Sequence, residues 1–158
     1  MKNLSFLFCM ALLLLLGACS TPGDYNVAIM DETIKVEKSA INVVKLLKDE
    51  NLDAAQTALQ ESRDIAKAAL EKLERMSAFR DDDLLRQSAI NFVAFYDRLF
   101  TNEYQEAYDL LKMGITYTED RANVIDDIYK LEIELKQQLM NEHIAFIKKY
   151  GLIAVERD

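Results

Sequence analysis

The chain has 158 residues, 51% of them hydrophobic and 29% charged, with 27 acidic against 19 basic side chains, one histidine and two cysteines. A net charge of −8 leaves no electrostatic claim on nucleic acid, whose backbone is itself anionic. A single histidine gives nucleophilic triads, zinc sites and carboxylate–histidine di-iron sites little to build on.

At the start of the chain, Lys2 precedes an apolar run from Phe6 to Leu16, followed by the small residues Gly17 and Ala18 and then Cys19. A basic start, a short apolar core and small residues before a cleavage point follow the order of a secretory signal. The run is too short to span a membrane comfortably, since a transmembrane helix needs ~20 consecutive apolar residues. Leu16-Gly17-Ala18-Cys19 resembles the lipobox of bacterial lipoproteins, in which the cysteine is lipidated and becomes the mature N-terminus. The resemblance implies that residues 1–18 are removed as a signal peptide, taking Cys9 with them, and that Cys19 carries a covalent lipid. No thiol then remains for a disulfide. Ser20 directly after the cysteine implies, by the lipoprotein sorting rule, an outer-membrane or cell-surface address in the envelope rather than retention in the inner membrane.

Cleavage before Cys19 leaves 140 residues, with 18 basic and 27 acidic groups and a net charge of −9, because Lys2 is the one charged residue removed. A chain of that length folds as one domain and buries ~68% of its unfolded surface without staples. Glycine and proline are scarce beyond the lipobox, at Pro22, Gly23, Gly114 and Gly151 only. Alanine, leucine, lysine, glutamate and glutamine, all good helix formers, fill the rest. The composition predicts an all-α fold.

Residues 19–23 read as the lipidated cysteine and a short tether, which holds the domain within about 20 Å of the bilayer. A first helix is expected from an N-cap at Asp24 to Lys48, with Ile29, Val36, Ala40, Val43 and Leu47 as its apolar stripe, widened by Met30, Ile34, Ile41 and Val44. Asp31 and Lys35 are spaced to pair on its outer side. Lys48 to Asn51 reads as a turn, with Asn51 or Asp53 capping a second helix over 53–76. That helix sets Ala55, Leu59, Ser62, Ala66, Ala69, Leu73 and Met76 on one line, and its alanines allow neighbouring helices to approach closely.

Asp81-Asp82-Asp83 is expected to open a third helix, over 82–113. The three acids lack the alternation, central glycine and closing glutamate of a calcium loop, so no metal is assigned to them. Leu85, Phe92, Val93, Phe95, Tyr96, Leu99, Phe100, Tyr104, Tyr108 and Leu111 make this the bulkiest stripe, matched in volume to the alanines of the second helix. Thr101-Asn102-Glu103 interrupts it at a possible kink. Gly114 reads as a helix-terminating C′ residue and Thr118 as the next N-cap. A fourth helix over 119–150 has Ile125, Ile128, Leu131, Leu135, Leu139, Phe146 and Tyr150 inward, and Asp126/Lys130 and Glu132/Lys136 as flanking pairs. Gly151 stops it. Residues 151–158 form a tail that either touches lipid, together with Lys148, Lys149 and Tyr150, or folds over the end of the core.

Four amphipathic helices with short connections predict an antiparallel up-down-up-down four-helix bundle over 24–150, ~40 Å long. Its first helix start, its last helix end and the turn between helices two and three would share one end.

Chemistry is sparse. There is no Cys-x-x-Cys-His, no Walker loop and no Gly-x-Gly-x-x-Gly. One constellation stands out: His143 on the fourth stripe and Met30 on the first, at the same bundle end, resemble the axial haem ligation of b-type four-helix cytochromes. A packed methionine and a satisfied histidine explain both residues as well, and haem is not expected. The opening Asp24-Tyr25-Asn26 and the closing Lys149-Tyr150-Gly151-Leu152 resemble small α-helical surface lipoproteins of uncharacterised function, which supply no active residues.

The sequence therefore predicts a non-catalytic, lipid-anchored helical domain of the cell envelope. Its partners would be the bilayer, through Cys19, and an unidentified protein. The alternative is a bundle carrying haem or a small apolar molecule near His143, Met30, Tyr96 and Tyr104.

Overall fold

A computed structural model describes residues 21–115 and 122–152, and regular structure among them is helical, with no strand. Five segments follow one another: α1 (Pro22–Lys48), α2 (Leu52–Arg75), α3 (Leu84–Thr101), α4 (Glu103–Lys112) and α5 (Ala122–Lys149). The all-α expectation holds. The long third helix of the sequence reading is divided at Asn102 into α3 and α4.

Helix α1 begins earlier than expected. Its N-cap is Thr21, not Asp24, with Pro22 in the first turn, where a missing N–H costs nothing. The Thr21 hydroxyl oxygen accepts from the Asp24 amide at 3.1 Å, and the Asp24 carboxylate accepts from the Thr21 amide at 3.2 Å, completing a capping box. Residues 21–23, expected as tether, thus belong to the helix start.

The turn after Lys48 is real. Glu50 takes a left-handed φ of 52°, and the amides of Glu50 and Asn51 close on the carbonyls of Leu47 and Leu46. That is a Schellman ending built without glycine. Asn51 then caps α2 by accepting from the Ala54 amide. The triple-aspartate segment does not open a helix at residue 82. Arg80 and Asp81 both have positive φ, 50° and 66°, in a tight turn closed by reciprocal bonds between the backbones of Phe79 and Asp82. Helix α3 starts only at Leu84. At the far end, Gly114 is the left-handed C′ residue with the Schellman bonds Gly114 N–Leu111 O and Ile115 N–Leu110 O. Gly151 ends α5 in the same way, with the Leu152 amide on the Ile147 carbonyl. Thr118, Glu119, Asp120 and residues 153–158 lie outside the described residues.

Helix α3 is central and packs against α1, α2 and α5, whereas α5 leans mainly on α3 and touches α1 lightly. Most of the expected stripes of α1, α2, α3 and α4 is buried: Ile29, Val36, Ala40, Val43 and Leu47; Ala55, Leu59, Ser62, Ala66, Ala69 and Leu73; Leu85, Phe92, Val93, Phe95, Tyr96, Leu99, Phe100 and Tyr108. Met30, Val44, Met76, Tyr104 and Leu111 are half-buried, and Ile34 and Ile41, expected to widen the α1 stripe, are exposed instead. Helix α5 is less covered, with Leu139 and Phe146 buried but Leu131 and Leu135 only partly so.

The ion pairs differ from the local ones expected. Lys35 pairs with Glu32 at 2.9 Å rather than with Asp31, and Lys136 bonds Glu37 of α1 rather than Glu132. Lys130 bonds Asp127. Of these lysines only Lys136 finds its partner on another helix; Lys35 turns to the buried Glu32 and Lys130 to Asp127, each one turn away on its own helix, and the Asp126 side chain lies outside the described residues.

Glu32 is the one buried carboxylate in α1, held by Lys72 of α2 at 2.5 Å and by Lys35. Burial pushes its pKa up, but the bonds from Lys72 and Lys35 outweigh that and hold it below the ordinary carboxylate value. A depressed folded pKa contributes stability that is present above the unfolded value of about 4.3 and is lost as pH falls through the folded value. Glu32→Gln should therefore be destabilised at pH 6 and lose less stability than the parent chain between pH 6 and pH 3. Urea titrations at both pH values test this. Equal losses in the two proteins would show that Glu32 does not drive the acid transition.

Candidate functional site

Three regions bear on function: the end of the domain around Thr21, the aromatic interior of α3, and the outer part of α5 around His143.

Phe79, at the tip between α2 and α3, anchors the first region. Its ring lies 5.4 Å from Tyr25 of α1, 5.8 Å from Phe146 of α5 and 5.0 Å from Tyr150, so rings from three parts of the chain close the core there. Tyr25 also stacks on Phe146 at 5.5 Å. Burial, and then the nearby Asp83 carboxylate, raise the Tyr25 pKa and keep the phenol neutral. The Tyr150 hydroxyl donates to the Phe79 carbonyl at 3.4 Å, and Lys149 bonds Asp82 at 2.8 Å. Both are thus bonded within the fold, although Lys149 stays exposed. Leu152 packs against the core, 3.9 Å from where a Cβ on Gly23 would stand. The tail thus begins by folding over the core, and its remainder lies outside the described residues.

Arg86 ties this end to α2. It forks onto Asp83 at 2.5 and 2.7 Å and donates to the Leu73 carbonyl at 3.1 Å, in the last turn of α2. The guanidinium holds the Asp83 carboxyl below the usual range, and Asp83 in turn raises Arg86. Asp82 and Asp83 are thus engaged within the fold, and among the described residues no three His, Cys, Asp or Glu side chains gather as metal ligands.

Tyr96 and Tyr104 belong to one ring ladder in α3 and α4. Tyr96 lies 5.1 Å from Phe92, 5.4 Å from Phe95 and 6.1 Å from Phe100, and Phe100 lies 5.9 Å from Tyr104. The Tyr96 hydroxyl donates to Glu132 of α5 at 2.5 Å. Burial, reinforced by that carboxylate, raises its pKa far above the ordinary tyrosine value, so Tyr96 is a permanent donor rather than a proton-transfer group. It joins α3 to α5.

His143 is half-buried on α5; its Nδ1 is buried and has no hydrogen-bond partner, and burial lowers its pKa, keeping the ring neutral at pH 7. Met30 is half-buried against the core. Two surface hollows lie elsewhere. One, of about 410 Å³, is lined by Gln56, Thr57, Gln60, Glu61, Arg63 and Gln105. The other, of about 390 Å³, lies between α1 and α2 around Lys35, Ser39 and Ile65. Neither includes His143, Met30, Tyr96 or Tyr104. Sequence reading missed Arg63 and Arg86, whose role depends on carbonyls at helix ends and has no sequence motif.

Cys19 lies outside the described residues, and no helix among the described ones is long and apolar enough to cross a membrane. Compared with known proteins, the chain matches no family model, no curated sequence and no solved structure.

Proposed function

We propose that this chain is a lipid-anchored protein of the bacterial cell envelope: an up-down-up-down helical bundle without catalytic activity, held to the bilayer through Cys19 and acting through protein contacts. The observation that carries the reading is the position of the first cap. Helix α1 is already capped at Thr21, two residues beyond Cys19. A lipid on that cysteine brings the Thr21 end of the fold within ~7 Å of the point of attachment.

The bundle topology has support in the pairings between helices. Glu32 of α1 meets Lys72 of α2, while Asn51 joins the other ends of the two helices. Arg63 meets Phe100, and Gln56 meets Tyr108, so partners rise along one segment as they fall along the other. Tyr96 with Glu132 and Phe79 with Tyr150 follow the same rule. In this arrangement the Asn51 and Gly114 ends point away from the membrane and are the first to meet a partner.

The test is Cys19→Ala. The parent protein should enter the membrane fraction and incorporate a labelled fatty acid; the variant should incorporate none and should accumulate as unprocessed precursor. A variant that is processed and fractionates as the parent does removes the anchor from this account. The ligand-carrying alternative has one observation in its favour, the buried and unpartnered Nδ1 of His143. A Soret band that disappears in His143→Ala would put that reading first.

A further inference from the structure

Helix α1 has a second apolar face. Its core face is occupied by Tyr25, Ile29, Val36, Ala40, Val43 and Leu47. Away from it, Val27, Ile34 and Ile41 recur every seven residues and are 47%, 40% and 63% exposed. Three residues after each stand Met30, Glu37 and Val44, all half-buried. That is the alternating three-and-four spacing of a coiled-coil seam over three heptads, which a helix needs only where another helix runs along it.

Helix α5 extends the same surface. Lys136 reaches Glu37 across the α1–α5 junction, and Tyr129, Ile133, Met140 and Ile144 share the Lys136 face by helical spacing. They are 52%, 66%, 39% and 44% exposed. Seven of the eleven large apolar side chains exposed among the described residues thus lie on one side of the fold, where a soluble monomer rarely gathers them.

The charges beside the seam say what covers it. At the next heptad position stand Asp24, Asp31, Lys38 and Lys45, seven apart and all exposed. Asp31, Lys38 and Lys45 make no ion pair among the described residues. The row reads two acids and then two bases, so it is complementary to its own reverse. Laid against a second α1 running the other way, Asp24 faces Lys45 of the second copy and Asp31 faces its Lys38. By two-fold symmetry each contact occurs twice. Offset from the charge pairs by one residue on each helix, the seam positions set Val27 beside Val44, Met30 beside Ile41 and Ile34 beside Glu37 of the second copy. The charge pairs centre between Ile34 and Lys35 and the seam pairs between Lys35 and Val36, on either side of Lys35 at the middle of Pro22–Lys48, so the whole helix is used. We infer that a second copy of this chain docks antiparallel along the α1 seam, with α5 flanking it, to make a symmetric dimer. The charge row is itself neutral, which lets the contact form on a chain with a net charge of −8. This inference does not depend on the lipid anchor.

Sedimentation equilibrium of the full-length chain in a mild non-ionic detergent should show a dimer. Asp31→Lys alone and Lys38→Asp alone should each raise the dimer Kd about tenfold, since each turns two attractive contacts into repulsive ones. The double exchange should restore the parent value. Ile34→Lys should leave a monomer of unchanged helical circular dichroism. A parent chain that stays monomeric at every concentration overturns the inference. So does a dimer indifferent to these charge reversals, and either result would assign the seam to a lipid surface or another protein.

Discussion

Phe92→Ala should cost the fold about 3–5 kcal/mol, enough to consume a large part of the stability of a domain this size. The side chain is 1% exposed in the central helix α3, and its ring meets Tyr96 edge-on at 5.1 Å. Removing it loses both the buried area and the ring contact, and leaves a hollow the neighbours fill poorly. Helix α2, which packs against α3, presents Ala55, Ala58, Ala66 and Ala69 inward. Alanines have no side chain that can swing into a vacancy, so relief requires moving a helix. Urea denaturation reads the effect as a lower midpoint at constant slope. Phe92→Leu, which keeps most of the volume, should cost about 1 kcal/mol. If the alanine variant loses less than about 1 kcal/mol, α3 is not the centre of the core.

The core was legible because its signal is local. Helical spacing picks out Ile29, Val36 and Val43 or Ala66, Ala69 and Leu73 directly, and composition rules out a competing sheet. The ends of the elements were harder. Thr21-Pro22-Gly23-Asp24 carries a capping box that the more familiar reading of Asp24 as N-cap obscured. Glu50, Arg80 and Asp81 take left-handed φ values without being glycine, so nothing in residue type announced the turns they make. The fold holds such residues at a cost of about 1–2 kcal/mol each, set against the contacts around Leu47 and Phe79. Ion pairs were read as one-turn neighbours, but Glu32, Glu37 and Glu132 found partners on other helices. Those distances exist only after packing. For the candidate site, Tyr96 is a buried ring, Tyr104 and Met30 are half-buried against the core, and Cys19 lies beyond the described residues. Met30, Ile34, Ile41 and Val44 read in the sequence as a widening of the core stripe, with Val27 not among them. Only the exposure of Val27, Ile34 and Ile41 separates the seam from the core.

The proposed lipid at Cys19 and the inferred pairing of α1, taken together, would restrict how two copies stand. An antiparallel pair of α1 helices separates its Thr21 ends by the length of the helix, ~40 Å. With both proposed anchors in one bilayer the pair would lie with α1 along the membrane surface, so the Asn51 and Gly114 ends, which point away from the membrane in a single anchored copy, would turn to the sides in the dimer. Copies standing upright would instead attach to two facing membranes.

Arg63→Ala should cost about 2–3 kcal/mol, although Arg63 is only half-buried and makes no salt bridge among the described residues. Its Nε and Nη2 donate to the Phe100 carbonyl at 3.1 and 2.9 Å, and Nη2 also reaches the Gln105 side chain at 2.7 Å. Phe100 lies in the last turn of α3, where helical carbonyls run short of amide partners and the helix dipole is negative. One guanidinium from α2 thus satisfies the end of α3 and holds the start of α4 across the break at Asn102. Arg98 and Glu103, 3.6 Å apart, bridge the same break from outside. Alanine would leave a carbonyl and an amide oxygen without donors and would free α4 to reorient, so amide exchange should quicken around residues 102–106 as well as stability fall. Arg63→Lys distinguishes charge from geometry. A lysine keeps the favourable charge at the helix end but cannot fork onto one carbonyl and reach a second acceptor, so it should recover less than half of the loss. A lysine variant as stable as the parent would mean that charge alone holds α3 to α4.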